Sequence, residues 1–392
     1  MKPIKLLQNI NYFLTKHSKI FDILLLITLA ISSFLFLVNT GNIDDGYHLT
    51  DDHEIIRINN DLKQSNFIDI ANKWITDDFK IRYRPIYFAH RVLEAEIFHD
   101  NLFYWSLWTG ILMMCSIIFF YLGIRRFDFS KLSSVLFVIL IFVGPQFAVW
   151  WRLGPNETIG MFLLSISFLT IKNKSNSIFL NIIFSISLIL TSLAKESFTV
   201  IVPAFIFLRI FSNNDSFKES LRKNWMLIFP ILVFMFNIYM ILFVVGTDKI
   251  GYAGNVNQDT ILQNAINLIN GQINNIFNLY ITLFIVTSVV CLYNNKSFRF
   301  ILKKEFYVPV LFSLLIILPN IYLYLKPGMT ERYLLPSTLG FAFLIIAFFN
   351  ILINIKDNLV YRIFIIIAVS LTIFCWISSY YPNMDLVAKN FS

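Results

Sequence analysis

The sequence predicts an all-α, polytopic integral membrane protein with about eleven transmembrane helices and a long first outer loop carrying interfacial helices. Three observations carry this. Hydrophobic residues make up 57% of the chain and charged ones only 14%, with a mean hydropathy of +0.67, whereas soluble domains carry about 25% charged residues. The apolar residues gather into roughly eleven runs approaching the ~20 residues that a helix needs to cross a bilayer. Finally, the polar exceptions are concentrated: residues 39–101 hold 12 of the 24 carboxylates and four of the five histidines.

The chain reads as one integral membrane domain over residues 1–392, taken element by element. Residues 20–38 form an apolar run with a basic flank (Lys16, Lys19) and no small-residue cleavage site, as in an uncleaved signal anchor. Residues 39–101 form the acidic outer loop. Residues 102–380 supply the helical bundle, and a tail of residues 381–392 follows with no soluble domain. The runs centre near Leu29, Leu112, Leu140, Leu164, Leu188, Phe205, Phe234, Ile285, Leu315, Leu344 and Ile367. Two long apolar stretches are divided, at residues 151–157 and at Lys195-Glu196. A charge at the bilayer centre costs about 3 kcal/mol, so both breaks read as turns at a membrane surface.

Basic residues set the orientation, because short cytoplasmic loops retain Lys and Arg. With the amino terminus inside, the cytoplasmic segments collect 18 Lys and Arg and the short outer turns only six. The acidic loop then faces outward from the cytoplasmic (inner) membrane. The net charge of +8 is thereby a product of topology and gives no reason to expect a nucleic-acid partner. Cys115, Cys291 and Cys375 fall within predicted spans without metal-ligand spacing, and no nucleotide-phosphate loop signature is present.

On this topology the acidic loop, the Arg152 to Glu157 turn, the Lys195-Glu196 turn, the 246–275 loop and the Lys326 to Tyr333 segment share one face. Convergence of both charge signs suggests one site, although every polytopic protein must place its turns somewhere. The loop opens with two Asp pairs, Asp44-Asp45 and Asp51-Asp52, and then Ile55, Ile58 and Leu62 recur as on one face of a short helix lying along the membrane. Asp51 with Glu54 has capping-box spacing; a carboxylate used as a cap is a poor base, because hydrogen bonds to its charged form lower its pKa, and Asp52 is the freer group. In Arg82-Tyr83-Arg84-Pro85-Ile86-Tyr87-Phe88, Pro85 is placed to open a helix running to about Phe98. The flanking arginines suit a phosphate, which guanidinium grips through two hydrogen bonds, or alternatively act as interfacial anchors. His48 and His53 among the Asp residues could hold a divalent cation, Mg or Mn, or be solvated loop residues; their spacing matches no specific metal motif.

The stretch Asp51-Asp52-His53-Glu54-Ile55-Ile56, then Arg82-Tyr83-Arg84-Pro85-Ile86-Tyr87 and Glu94-Ala95-Glu96-Ile97-Phe98-His99-Asp100-Asn101, resembles the first outer loop of the GT-C class of membrane glycosyltransferases. Leu193-Ala194-Lys195-Glu196-Ser197 and Glu331-Arg332-Tyr333-Leu334-Leu335-Pro336-Ser337 look like turns of its protein O-mannosyltransferase and aminoarabinose transferase members. The resemblance spans about residues 20–345, through short motifs. It implies transfer of a sugar from a polyprenyl-phosphate carrier to a hydroxyl of a glycan, lipid or protein, with a first-loop acid as base, at Asp51 or Asp52 and then Asp44 or Asp45. Glu157 sits where members place a second acid, and Glu331 is a further candidate on the acceptor side. The chain lacks the carboxyl-terminal outer domain of many members.

The residue types agree with this chemistry. A lipid phosphate is already a good leaving group, so one base and a set of cations suffice, where a glycosidase needs two carboxylates. Arg82, Arg84, Lys195 and Arg332 are the candidate phosphate partners. A transporter or flippase of lipid-linked saccharides is the rival from another class, though the spans are nearly free of midplane charge and show no repeat. An outer-face polysaccharide polymerase or ligase is the enzymatic rival.

Overall fold

A computed structural model describes residues 18–39, 43, 53–142, 147, 149–150, 153, 156–173, 177–212, 215–246, 304–324 and 335–355. All regular structure among these residues is helical. In chain order the helices are α1 (Ser18–Asn39), α2 (His53–Leu62), α3 (Phe67–Asp78), α4 (Pro85–Phe98), α5 (Leu102–Arg125), α6 (Lys131–Phe142), α7 (Glu157–Thr170), α8 (Ile178–Ser192), the single turn α9 (Glu196–Thr199), α10 (Val202–Phe211), α11 (Phe217–Lys223), α12 (Ile228–Tyr239), α13 (Lys304–Tyr324) and α14 (Leu335–Ile355).

Nine of the eleven expected apolar runs coincide with described helices, and those near Ile285 and Ile367 lie outside the described residues. Among the described residues, three segments are long and apolar enough to cross a membrane: Asp22–Asn39, Leu102–Arg125 and Trp225–Gly246. Shorter apolar stretches of 10–17 residues are Lys131–Phe142, Glu157–Thr170, Ile178–Ser192, Tyr307–Leu323 and Leu335–Phe348. Both expected breaks are present. Helix α6 stops at Phe142 and α7 starts at Glu157, while α8 ends at Ser192 and the chain turns through Leu193–Lys195 into α9. The outward faces of α1 (Ile23, Leu24, Ile27, Ile31, Leu35) and of α12 with its π-helical extension (Leu232, Met235, Phe236, Phe243) are exposed. Apolar surface of that extent is rarely left to water.

Packing follows the chain: α5 lies between α1 and α7, α7 packs on α8, and α13 and α14 pair with each other, α14 also meeting α6. The centre is aromatic. The Phe168 ring of α7 meets Phe120, Phe127, Phe137, Phe205 and Phe343 at centroid distances of 5.3 to 6.4 Å, contacts worth about 0.5–1.5 kcal/mol each beyond area burial.

Helices α2, α3 and α4 form a separate small cap. Ile55 and Ile58, both fully buried, pack with Ile70, Val92, Ala95, Trp105 and Leu153. The predicted α2 face thus exists, but it is turned onto the protein, because α4 offers Val92 and Ala95 as partners. Pro85 does open α4 in its first turn. His99 ends it at φ 49°, ψ −131°, a positive-φ backbone conformation uncommon outside glycine, and its carbonyl accepts the Trp105 indole N–H at 3.0 Å.

Close approach between α7 and α9 depends on Gly160. A Cβ there would fall inside the Phe198 ring, which is fully buried, and Gly160 lies one turn after Glu157 on the same helix face. Overpacking a core costs about 1–3 kcal/mol. Gly160→Ala is therefore expected to lower the melting midpoint of the detergent-purified protein, and Phe198→Leu in the same chain to recover part of the loss. Equal melting of Gly160→Ala and wild type would refute the contact.

Candidate functional site

The polar residues of three expected turns meet at one end of the bundle, beneath the α2–α4 cap. Helix α3 is capped at its start by Asn66, whose side-chain oxygen accepts the Asp69 N–H at 3.0 Å. It ends on Asp77-Asp78, where carboxylates oppose the helix dipole. Asp78 is compensated from outside the helix: Arg84 Nη2 donates to its Oδ1 at 2.7 Å and Nε to its Oδ2 at 3.2 Å. Burial disfavours the Arg84 charge, but Asp78, through its charge and this fork, and then Glu196 outweigh it and hold the guanidinium protonated. The Arg84 guanidinium lies 5.1 Å from the Tyr87 ring centroid and 5.4 Å from that of Phe88.

The start of α4 is tied to the bundle. Ile86 N–H donates to the Leu193 carbonyl at 3.2 Å, joining the cap to the turn between α8 and α9. One turn on, Arg91 Nη1 donates to the Leu153 carbonyl at 2.6 Å, engaging the segment before α7. Arg91 is 2% exposed, stacks 4.6 Å from the Trp105 ring and donates to Glu94 at 3.3 Å. Tyr87 O–H donates to Glu54 at 2.5 Å; burial, then the Glu54 charge, push its pKa well up. His90 Nε2 accepts the Trp108 indole N–H at 3.2 Å, and its Nδ1 lies 3.5 Å from Glu94. Burial, only partly opposed by Glu94, lowers the His90 pKa and keeps the ring neutral.

Deeper in, Lys195 Nζ donates to Glu157 Oε1, both residues being at most 2% exposed. Next in sequence, Glu196 is 1% exposed, and among the described residues neither of its carboxylate oxygens has a hydrogen-bond partner, nor does the adjacent Ser197 hydroxyl.

Of the residues the sequence singles out, Arg84, Lys195 and Glu157 are thus brought to one end of the bundle, Arg84 committed to Asp78 and Lys195 to Glu157. Arg82 lies in the connection from α3 to α4, its N–H donating to the Asp78 carbonyl at 2.6 Å. Asp44, Asp45, His48, Asp51, Asp52, Glu331 and Arg332 lie outside the described residues. So do the 246–275 loop beyond Gly246 and the 326–333 segment. Among the described residues no group of three or more His, Cys, Asp and Glu could hold a metal ion; the suggested Mg or Mn ligands, apart from His53 at the start of α2, lie outside them. Sequence reading passed over Asp78, Arg91, Glu94 and Glu196 as site members. The available signal was Lys195-Glu196 inside an apolar run, where each charge needs a reason to be present.

Removing one partner of a buried pair strands the other, at about 3–5 kcal/mol. Lys195→Met should therefore melt well below wild type in detergent, and adding Glu157→Gln should restore part of the loss. Undiminished stability of Lys195→Met would show that the pair is not a structural tie. For His90 the folded pKa lies below the ordinary 6.5, so the unfolded chain takes up the proton first. The stabilisation is complete above pH 6.5 and is lost as pH falls through the folded value. Between pH 7.5 and 5.5 the melting midpoint should fall, and His90→Gln should flatten that fall; parallel curves would remove His90 as its source. No protein-family model, curated protein or solved structure matches this chain.

Proposed function

We propose that the chain is a polytopic inner-membrane glycosyltransferase of GT-C type, with about eleven spans and its amino terminus inside. It moves a sugar from a polyprenyl-phosphate donor to a hydroxyl acceptor at the outer face. The observation that carries this reading is the tie between the first loop and the α7 and α8–α9 turns, made by Ile86 to Leu193 and Arg91 to Leu153. Glu54, two residues after Asp52 in sequence, is bonded to Tyr87, three residues after Arg84. Arg84, Lys195 and Glu157, which come from separate loops, thereby share one end of the bundle, an arrangement that supports transfer from a lipid phosphate.

In the proposed reaction Asp52, or Asp51 beside it, removes the proton of the acceptor hydroxyl as its oxygen attacks the anomeric carbon. The bond from that carbon to the phosphate oxygen breaks, and Arg82, Arg84, Lys195 and Arg332 are the candidate cations for the charge left on the lipid phosphate. Asp78 and Glu157 keep Arg84 and Lys195 in place meanwhile. The three membrane-length apolar segments and the exposed apolar faces of α1 and α12 support a lipid surround.

General-base assistance is worth about 10²- to 10⁴-fold. In nanodiscs, the protein should transfer radiolabelled sugar from polyprenyl phosphate, Asp52→Asn should lose that activity with little change in melting, and a nucleotide-diphosphate sugar should not serve. Turnover with the nucleotide sugar alone would defeat the proposed donor. Full activity in Asp51→Asn, Asp52→Asn and the double variant would remove that pair as the base.

A further inference from the structure

Glu196 differs from the other buried acids among the described residues. Asp78 has Arg84, Glu94 has Arg91 and Glu157 has Lys195. Glu196 is as deeply buried as any of them, yet both its oxygens lack a hydrogen-bond partner among the described residues, as does the hydroxyl of Ser197. Nearby, the Arg84 fork uses only Nε and Nη2 on Asp78, so the donors of Nη1 make no hydrogen bond among the described residues. A buried acceptor left unsatisfied is costly, and more so when charged. The Arg84 charge attracts Glu196 but gives neither oxygen a hydrogen bond, and a binding role explains the two open acceptors.

The acceptor-only chemistry of a carboxylate says what would bind: a group that donates hydrogen bonds. An anionic phosphate at Glu196 itself would be repelled. A neutral group bringing two donors would be held by both oxygens at once, with Ser197 able to donate or accept beside them. Adjacent hydroxyls on a sugar ring have that spacing and polarity.

We propose that Glu196 and Ser197 form a hydroxyl-binding subsite, the Glu196 carboxylate accepting hydrogen bonds from two neighbouring hydroxyls of a sugar. The assignment of that sugar to a lipid-linked donor rests on the function proposed above. The hydroxyl recognition itself does not.

Two probe sets separate these. Full-length protein in nanodiscs is titrated with a short-chain isoprenyl phosphate bearing a hexose and with the same lipid phosphate without sugar. Saturation-transfer NMR is recorded in parallel with a panel of methyl hexosides. The sugar-bearing lipid should bind more tightly than the bare lipid phosphate, and Glu196→Gln should erase that increment of about tenfold to a hundredfold while leaving bare-lipid binding unchanged. The hexoside signal should fall in parallel. Because Gln keeps the shape of the side chain, the variant should melt close to the wild-type temperature. Binding of neither lipid would overturn the donor reading, and the hexosides would then decide the subsite alone. An increment, or a hexoside signal, unchanged in Glu196→Gln would overturn the subsite. So would a marked drop in melting, which indicates a structural role, or a Mg or Mn melting shift that Glu196→Gln abolishes, which indicates a cation site.

Discussion

An ammonium and a carboxylate withdrawn from water lose several kcal/mol of hydration each, and recover it only while they face one another. Lys195 and Glu157 are in that position, at most 2% exposed and 38 residues apart in sequence. Their pairing fixes the register of the α8–α9 turn against the first turn of α7, and Gly160 makes the approach sterically feasible by leaving room for Phe198. The remaining arrangement at this end is built on that register. Leu193, two residues before Lys195, supplies the carbonyl that receives α4, and Leu153, four residues before Glu157, supplies the one that receives Arg91.

The opposite end of the bundle shows what a purely structural buried charge looks like. Arg209 is 1% exposed and donates to the Thr170 and Ile171 carbonyls, to Asn181 and to Asn224. Those carbonyls belong to the last turn of α7, where the helix dipole favours a cation, and all three guanidinium nitrogens are engaged. Glu196 has no such set of partners. The contrast lies within one protein and among residues of similar burial.

Local features were legible in the sequence. Pro85 marked the start of α4, Ile55 and Ile58 marked α2, and the charged breaks near 151–157 and at Lys195 separated helices that apolar composition alone would have merged. Partner choice was not. Arg84 reads as a phosphate ligand because its sequence neighbours are aromatic, while its fork on Asp78 depends on how the chain turns between α3 and α4. Arg209 sits in an apolar run with no acidic neighbour, and two of its acceptors are backbone carbonyls, which leave no trace in residue identity. The α2 face was readable as apolar, yet its partner, α4, is a tertiary fact.

The cap deserves weight for a mechanical reason. Helices α2, α3 and α4 bury their own apolar cluster, and side-chain bonds between them, Trp74 to Asp61 at 2.9 Å and Tyr87 to Glu54 at 2.5 Å, hold them as a unit. Arg84 is therefore carried on a packed body, at the start of a helix that is itself tied to Leu193. A catalytic or binding group tolerates displacement of only about 0.5 Å, a precision that isolated loops seldom provide. The tight fit of Arg84 to Asp78 costs the guanidinium part of its donor capacity, but it also sets the direction of the remaining Nη1 donors. With Lys195 oriented by Glu157 in the same manner, Arg84 and Lys195 are each held in place by a carboxylate.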